Sequence, residues 1–494
     1  MKLFINGDIN SYYVQTLCMI FFPGAKFSPD EEMTEETDVL SLTVTHLDDG
    51  VKAEVEMRSE GKTAKSERFE AYRSGSTKVA TAKIAAGIAV LAAGKELFEC
   101  TPPWGILTGV RPAKIAAQFV SAGLTPAEIR EALSREYFLN PKKAALLTDI
   151  AEKEAVIISR TQKNTCSVYI SIPFCPTRCA YCSFVSYSTK RLLSMIDDYL
   201  LRLYDDIDRT FENIKRLGLK VITVYVGGGT PTVLNPVQMK ALLSKITSHV
   251  SPDELLEFTY EAGRPDTVTE EKMKIIKSFG VTRVSVNPQT LNDMVLESIG
   301  RHHTTEDFYR AYNIARESGI KHINTDLIAG LPGESFSSFS RSVDEIIKLR
   351  PDNLTVHTFC VKKASDFLRN GTEVYSRSGG ETGKSVDYSQ VAAHLAGYVP
   401  YYIYRQKNTV GNFENVGYAL EGAEGLYNIY MMEEVHSVFA AGAGAVTKLV
   451  SGDRSVIKRA AMPKYPYEYL RDETYGLAVK TKDELIEGFA KEYF

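Results

Sequence analysis

Three cysteines within eight residues are the feature of this 494-residue sequence that most directly indicates chemistry. Cys175, Cys179 and Cys182 follow a C-x3-C-x2-C spacing in the stretch SIPFCPTRCAYCSF. A structural zinc site takes four ligands, usually from two separated pairs, and no second pair with matching spacing is present. A redox-active C-x-x-C motif needs only two cysteines. Three thiolates from one loop suit three irons of a [4Fe–4S] cluster whose fourth iron stays open to an exogenous ligand.

The chain after residue 166 must position these cysteines. Short apolar runs alternate there with amphipathic segments of helical spacing. The runs are residues 167–173, 221–228, 257–262, 281–287, 322–330 and 353–360. Buried strands that alternate with helices indicate a parallel sheet covered by helices, and six repeats are too few for an eight-stranded barrel. We therefore predict an α/β fold, an open partial (βα)6 barrel, with its chemistry at the carboxyl ends of the strands.

Polar motifs follow several of the predicted strands. The stretch YVGGGTPT follows the second strand, and its Gly228 and Gly229 allow backbone groups to approach a polar ligand closely. Glu261 ends the third strand, where it could accept hydrogen bonds from a ligand or form a salt bridge at the rim. The stretch VNPQTLNDMVLESIGRHH supplies Gln289 and Arg301, and NTDLIAGLPGE supplies Asp326 at another strand end. Arg301 could instead pair with Asp326 or Glu306.

The segments on either side of the predicted barrel differ from it in pattern. Residues 1–160 contain a hairpin pattern at Asp38–Ser59 and later helical spacing, which predict an α+β accessory domain. In the stretch WGILTGVRPAK, Gly109 and Arg111 could serve a ligand or mark the entry to a helix. We predict domains at residues 1–160, 161–370 and 371–494, the last a mixed C-terminal domain that covers the substrate. Its Tyr401 and Tyr402 could cover a flat ligand or fill a core.

Composition limits the class of protein. With 44% hydrophobic residues, 24% charged residues and a formal net charge of −4, the chain is typical of a soluble globular protein, with no case for nucleic-acid binding. The apolar run at residues 16–23 is too short to span a bilayer, so we expect a cytoplasmic location. Seven cysteines without an export signal argue against a disulfide framework. Cysteines outside the triplet are expected to be small buried hydrophobes: Cys18, Cys100, Cys166 and Cys360.

The cysteine triplet, with the aromatic Tyr181 before its last member, resembles the signature of the radical S-adenosylmethionine (SAM) enzymes. In that superfamily the three cysteines hold a [4Fe–4S] cluster, and SAM chelates the fourth iron. Cleavage of SAM then yields methionine and a 5′-deoxyadenosyl radical, which abstracts a hydrogen atom. YVGGGTPT resembles the superfamily motif that contacts the SAM amino group. The resemblance implies a [4Fe–4S] cluster and SAM as cofactors, with Cys175, Cys179 and Cys182 as the metal ligands.

The order of the motifs resembles, more narrowly, the oxygen-independent coproporphyrinogen III oxidases, and most closely their branch called coproporphyrinogen dehydrogenase, HemZ type. The motifs are YISIPFC, GGGTPT, EAGRPD, QTLN and DLIAGLPGE, followed in the tail by VGYALEGAEGLYN and GAGAVTKL. Members of this family convert two propionates of coproporphyrinogen III into vinyl groups in haem biosynthesis. Each propionate loses a hydrogen atom and CO2, and an external acceptor takes the remaining electron.

The resemblance implies a role for individual residues. Around the cluster-bound SAM it places Tyr169, Gly228, Glu261 and Val446. Family members can hold a second SAM, for which the matching positions are Tyr181, Gly229, Thr230, Gln289, Arg301, Asp326 and Cys360. Propionate carboxylates call for cationic partners, for which the candidates are Arg264, Arg405 and Lys407.

Two departures from the family pattern leave the substrate open. Ser171 stands where the family usually has histidine, and Phe184 stands where the classical oxidases often have a further cysteine. The alternatives are a haem chaperone of the same family and a radical SAM enzyme that methylates or opens haem. The expected partners are a porphyrinogen or haem substrate and an electron donor such as flavodoxin or ferredoxin, and we expect a monomer. Residues 1–160 are predicted to cap the open side of the barrel.

Overall fold

The computed structural model describes residues 1–27, 37–72, 75–182, 188–360, 380–406 and 409–493. Its contacts divide the chain into two compact units. Unit 1 comprises Met1–Glu152, Glu373–Gly383 and Ile403–Glu414, and unit 2 comprises Lys153–Thr372, Lys384–Tyr402 and Asn415–Phe494. The predicted domain limits near residues 160 and 370 remain predictions.

Unit 1 is built on a four-stranded sheet of order β1-β2-β3-β4. Its strands are β1 (Lys2–Asn6), β2 (Val39–His46), β3 (Gly50–Ser59) and β4 (Lys62–Ala71). β1 and β2 are parallel, and the remaining pairs are antiparallel, so the predicted hairpin is confirmed. Alternate residues of β3 are buried, as expected for a sheet with one face covered.

Unit 1 also contains helices, the first two of which pack against this sheet. They are α1 (Ser11–Phe21), α2 (Lys78–Phe98), α3 (Ala113–Ser121), α4 (Pro126–Tyr137) and α5 (Pro141–Ser159), the last of which continues into unit 2. The buried face of α2 is rich in alanine, which lets the helix lie close to β3 and β4. α4 begins with a capping box between Thr125 and Glu128, which explains why the predicted helix starts there.

Unit 2 contains the predicted run of six parallel strands. They are β5 (Thr165–Ile172), β6 (Lys220–Gly228), β7 (Glu257–Gly263), β8 (Arg283–Val286), β9 (His322–Ala329) and β10 (Asn353–Thr358). Each strand pairs in parallel with the next. Nearly all of their residues are buried because both faces of the sheet are covered, so the pattern reads as continuous apolar runs.

Helices connect these strands and cover the outer face of the sheet. Along the chain they are α6 (Lys190–Leu193), α7 (Ile196–Arg216), α8 (Pro236–Thr247), α9 (Glu270–Ser278), α10 (Asp293–Ser298), α11 (Thr305–Glu317) and α12 (Phe336–Leu349). Their alternation with β5–β10 confirms the predicted partial (βα)6 architecture. None of the helices in the described ranges combines the length and apolar character needed to cross a bilayer.

The C-terminal strands join both edges of this parallel sheet. They are β11 (Val399–Arg405), β12 (Glu414–Ala419), β13 (Val438–Ala441), β14 (Val446–Val450) and β15 (Ile457–Ala461). The order across the sheet is β11-β12-β10-β9-β8-β7-β6-β5-β13-β14-β15. The remaining helices are α13 (Gly380–Leu395), α14 (Leu426–Met432), α15 (Pro466–Tyr469) and α16 (Asp472–Tyr493). β13 runs parallel to β5, so its carboxyl end lies at the same edge as the cysteine loop.

A buried ionic network closes the amino ends of the strands. Glu257 and Arg283, the first residues of β7 and β8, form an ion pair of 3.0 Å. Arg283 Nη2 also donates to Ala423 O at 2.9 Å, and Glu257 accepts the backbone N–H groups of Leu426 and Tyr427. The chain segment around Ala423–Tyr427 therefore seals one end of the strands, and the carboxyl ends are left to form a site.

Candidate active site

The cysteine loop begins directly after β5 and is held against the end of β6. Cys175 and Cys179 are buried, and Cys182 is half-buried. The backbone N–H of Gly229 donates to Ile172 O at 2.8 Å, and that of Thr230 donates to Phe174 O at 2.7 Å. Cys175 Sγ also lies 3.3 Å from Thr230 Oγ1. The first cysteine is thus fixed by the glycine motif of the neighbouring strand.

Glycine is required where the two strand ends meet. Gly228 has φ of 113°, a conformation that favours glycine. A Cβ atom on Gly229 would lie 2.4 Å from Phe174 O, well inside van der Waals contact. The glycine motif therefore allows the cysteine loop to approach β6 more closely than any other residue type would permit.

Two buried arginines lie beside Cys179. Arg264 Nη1 donates to Thr177 Oγ1 at 2.6 Å and lies 4.0 Å from Cys179 Sγ, and its Nε pairs with Asp266 at 3.0 Å. Arg301 hydrogen-bonds to the Tyr181 hydroxyl and the Cys179 thiol. Burial alone would lower the pKa of Arg301, but these two neighbours raise it above its ordinary value. The cysteine loop therefore lies in a positively charged environment, which stabilises thiolate and any added negative charge.

Two buried polar atoms near this loop lack hydrogen-bond partners among the described residues. Arg301 Nη1 donates to Asn287 O at 2.9 Å, whereas Arg301 Nε and Asn287 Oδ1 are buried and lack hydrogen-bond partners in the described part of the chain. Buried polar atoms normally have partners, so such a pair indicates a polar ligand or bound water.

A buried carboxylate lies next to the glycine motif. Glu261 on β7 accepts hydrogen bonds from the Gly228 backbone N–H and the Tyr225 hydroxyl. Burial, together with the negative charge of Asp326, raises the pKa of Glu261 to about 8, although the charge of Arg301 opposes this rise. Two carboxylates and one guanidinium therefore lie close together at the carboxyl edge of the sheet, and this arrangement can accept hydrogen bonds from hydroxyl groups and attract a cation.

Three tyrosine rings stack inside the barrel. The ring centroids of Tyr169 and Tyr225 lie 6.0 Å apart, and Tyr427 lies 4.7 Å from Tyr225 and 6.3 Å from Tyr169. Burial raises the pKa of each hydroxyl, so all three stay protonated at neutral pH. The stack forms an aromatic wall beside Glu261, whose charge further raises the three pKa values.

The other predicted site residues lie at the same edge of the sheet. Gln289 follows β8 with a positive φ of 71°, and its N–H donates to Asp326 O at 3.0 Å. Asp326 Oδ2 lies 3.6 Å from His357 Nε2. Cys360 is buried just after β10, and Val446 is 41% exposed at the start of β14. The structure brings Cys179, Tyr181 and Arg301 into contact and groups Gly228, Glu261, Gln289 and Asp326, whereas Cys360 and Val446 occupy opposite ends of the row of strands.

Candidates proposed for propionate binding have separate environments. Arg264 forms an ion pair with Asp266 and a hydrogen bond to Thr177 beside the cysteine loop. Arg405 belongs to unit 1, and Lys407 lies outside the described residues. Tyr401 and Tyr402 are buried, with the Tyr402 ring against the backbone of Gly417, which supports a role in the core.

Sequence reasoning missed a buried network that supports the loop before Val446. Asp206 on α7 accepts the Gly442 N–H at 2.9 Å and pairs with Lys482 on α16 at 2.8 Å. Tyr199 Oη donates to Ser171 O at 2.8 Å and accepts the Ala443 N–H at 2.9 Å. These residues are far apart in sequence and form no motif. An aspartate on the buried face of α7 was the one signal that could have indicated them.

The donor set at the loop fits an iron–sulfur cluster better than a single ion. In the described ranges, no group of three His, Cys, Asp or Glu side chains is arranged to hold one metal ion. A cubane cluster binds each cysteine through a different iron, so its thiolates need not converge on one point. The loop supplies three thiols that do not converge on one point, as a cluster allows. The two adjacent guanidinium groups and the unpaired polar atoms suit the negative charge and the polar ligand of such a cluster.

Comparison with known proteins agrees with this geometry. The family model of the radical SAM superfamily matches residues 169–346. The chain is 39% identical over 372 residues to the "oxygen-independent coproporphyrinogen-III oxidase-like protein HemZ" of Bacillus subtilis, covering 75% of this chain and 74% of that protein. It is 29% identical over 343 residues to the "heme chaperone HemW" of Bacillus subtilis, covering 66% of this chain and 86% of that protein.

A solved structure shares the fold. The coproporphyrinogen III oxidase HemN from Escherichia coli, described as a radical SAM enzyme, superposes with a TM-score of 0.50 at 22% identity, covering 65% of this chain and 71% of that one. At this level of identity the likeness shows the fold, and it confirms the predicted fold class.

Proposed function

Because the chain belongs to the radical SAM superfamily and, within it, to the family of the oxygen-independent coproporphyrinogen-III oxidase-like protein HemZ, we propose that it converts two propionates of coproporphyrinogen III into vinyl groups. The observation that carries the proposal is the three-cysteine loop held at the carboxyl edge of a partial barrel, in a chain 39% identical to HemZ over 75% of its length. Membership of the superfamily implies a [4Fe–4S] cluster and SAM.

The cysteine loop would hold the cluster. Cys175, Cys179 and Cys182 supply three thiolates, and Thr230 fixes the first of them. With a cluster and SAM bound, the site would supply a 5′-deoxyadenosyl radical for abstraction of a hydrogen atom from the propionate β-carbon. Arg264 and Arg301 supply positive charge beside Cys179, which favours the anionic form of the loop.

The residues that would contact the cluster-bound SAM are Tyr169, Gly228, Glu261 and Val446. Gly228, Glu261 and the tyrosine stack adjoin one another, which supports this assignment. A second SAM would lie against Tyr181, Gly229, Thr230, Gln289, Arg301, Asp326 and Cys360. The contact between Tyr181 and Arg301, and the unpaired Arg301 Nε, support a polar ligand there.

A haem chaperone is the second candidate function. It is favoured by the similarity to HemW, and Ser171, which stands where the family usually has histidine, leaves the substrate open. Ser171 Oγ donates to Ala443 O at 2.9 Å, so its role in this chain is to join β5 to the loop after β13.

An anaerobic turnover assay distinguishes the two functions. The reconstituted protein, with SAM and a reductant, would receive coproporphyrinogen III or haem in parallel, and mass spectrometry would follow 5′-deoxyadenosine and the tetrapyrroles. The oxidase proposal expects the loss of two CO2 units from coproporphyrinogen III, abolished in Cys182→Ser and retained in the control Cys100→Ser. Tight haem binding with no change to coproporphyrinogen would instead identify a chaperone.

A further inference from the structure

A small cavity in unit 1 borders the WGILTGVRPAK stretch, whose ligand role is open. Its volume is about 40 Å³. Its lining includes Thr16, Ile20, Thr108, Val110, Arg405 and Gln406. All of these residues belong to unit 1, and none of them belongs to the candidate active site of unit 2. A cavity volume of about 10–15 Å³ is enough to hold one water molecule, so this cavity suits a group of a few heavy atoms.

Arg405 is a rigidly held cation at this cavity. It is only 4% exposed. Its Nη1 donates to Leu107 O and its Nη2 to Asn412 O at 3.0 Å, while its backbone N–H donates to Val110 O at 2.8 Å. The guanidinium carbon lies 5.1 Å from the centroid of the Trp104 ring. These contacts fix the guanidinium in one orientation against the stretch that contains Leu107 and Val110.

The guanidinium has no carboxylate partner among the described residues. The acid whose charge acts on it is Glu414, but Glu414 Oε1 pairs with Lys143 at 2.5 Å and Oε2 accepts from Trp104 Nε1 at 2.8 Å. Arg405 Nε is buried and has no hydrogen-bond partner in the described part of the chain. Burial lowers the pKa of Arg405 to about 10, so the group stays charged at neutral pH without full compensation. A buried cation of this kind is costly unless an anion joins it.

The lining supplies a further donor. Thr16 Oγ1 donates its one hydroxyl hydrogen to Tyr13 O at 2.7 Å and lies 3.3 Å from Thr108 Oγ1, so the Thr108 hydroxyl can donate either to Thr16 Oγ1 or to a ligand in the cavity. Guanidinium and hydroxyl donors together are suited to an oxyanion, and a carboxylate matches both the planar fork of arginine and the volume.

We infer that this cavity binds a carboxylate group, held by the Arg405 guanidinium and the Thr108 hydroxyl. The inference goes beyond the proposed function, since it needs neither the cluster nor SAM. The carboxylate could belong to a free small organic acid or to a propionate arm of a tetrapyrrole, because both present the same group.

Calorimetric titration of the full-length protein tests the site. Sodium propionate should bind, and the neutral isostere propionamide should not. Thr108→Val should weaken propionate binding about tenfold, the effect of removing one hydrogen bond to a charged group, whereas the control Thr43→Val on β2 should leave it unchanged. Equal heats for propionate and propionamide, or equal affinity in Thr108→Val and the control, would overturn the inference. Because Thr108→Val leaves Arg405 in place, the test does not depend on a variant of the buried cation.

Competition between propionate and coproporphyrin III identifies which kind of molecule carries the bound carboxylate. Displacement of propionate by coproporphyrin III, weakened in Thr108→Val, would assign the site to a tetrapyrrole arm. Propionate binding that coproporphyrin III does not displace would assign it to a free acid. Either result supports the site, and loss of the site would leave the oxidase proposal intact.

Discussion

Arg264 places a guanidinium 4.0 Å from Cys179 Sγ, and we expect this charge to adjust the cluster bound there. A nearby cation stabilises the reduced, more negative cluster, so Arg264→Gln should make reduction harder. The midpoint potential should fall by about 60 mV, a tenfold change for a one-electron couple. A potentiometric titration followed by electron paramagnetic resonance measures this shift. Arg264→Lys, which keeps the charge, is the control, and an unchanged potential in Arg264→Gln would refute the expectation.

Glu261 should make SAM binding depend on pH. Its pKa is raised to about 8 by burial and by Asp326, with Arg301, Tyr225 and the Gly228 N–H acting in the opposite direction. The ionised carboxylate accepts hydrogen bonds from ribose and attracts the sulfonium, so SAM affinity should rise as the pH increases toward about 8 and level off above that range. Binding at pH 7 should release a proton, which calorimetry in buffers of different ionisation enthalpy detects.

Two variants test this interpretation of Glu261. Glu261→Gln should abolish the pH dependence over that range. Asp326→Asn should move it to lower pH, because it removes the charge that raises the pKa of Glu261. A pH dependence that survives in Glu261→Gln would assign the titration to another group.

The residues that sequence reasoning identified share one property, which is that each belongs to a local motif. Cys175 lies just after β5, Gly228 ends β6 and Glu261 lies near the end of β7, so the periodicity of the sequence was sufficient to place them at one edge. The proximity of Arg264 to Cys179 and the packing of Tyr427 against Tyr225 depend on contacts between distant segments. Such contacts leave no periodic signal in a single sequence.

The junction of β5 and β6 depends on a glycine that has no room for a side chain. In Gly229→Ala the new Cβ would meet Phe174 O at 2.4 Å, so the cysteine loop must move away from β6. Overpacking of this kind costs about 1–3 kcal/mol, and we expect lower thermal stability and less iron per chain. Gly452→Ala is the matched control because no atom lies within 4 Å of its new Cβ. Full iron loading in Gly229→Ala would contradict this account.

The C-terminal helix α16 supports the loop before β14 through one buried ion pair. Lys482 and Asp206 are 2% and 0% exposed and lie 2.8 Å apart. Lys482→Met leaves the Asp206 charge buried and uncompensated, so the free energy of unfolding should fall by about 3–5 kcal/mol, as urea denaturation measures. Lys480→Met, whose side chain is 72% exposed on the same helix, should change it by less than about 0.5 kcal/mol. Equal stability of the two variants would refute the role of the pair.

The strands β5–β10 could be predicted because both of their faces are buried, which gives each an uninterrupted apolar run between amphipathic helices. The positions of β11–β15 in the sheet could not be predicted from the sequence. β13 pairs with β5 across about 270 residues of sequence, for example Val438 with Ser167, and the choice of neighbour depends on the edges left open by the folded barrel. A sequence pattern indicates that a strand exists but does not specify its partner.

The chain combines a barrel unit that carries the candidate site with a second compact unit. Unit 2 closes the amino ends of its strands with the Glu257–Arg283 network, and its candidate site lies at the carboxyl ends. Unit 1 contains its own buried polar cluster around Arg405 and Glu414. The barrel explains membership of the superfamily, while the choice between oxidase and chaperone depends on the substrate.

The most direct test of the proposed reaction is the transfer of deuterium from substrate to cofactor product. Coproporphyrinogen III labelled with deuterium at the propionate β-carbons would be supplied anaerobically to the reconstituted full-length protein with SAM and a reductant. If the chain is an oxidase, 5′-deoxyadenosine carries one deuterium and the tetrapyrrole loses CO2. Unlabelled 5′-deoxyadenosine, with the tetrapyrrole unchanged, would contradict the proposal that this protein acts on coproporphyrinogen III.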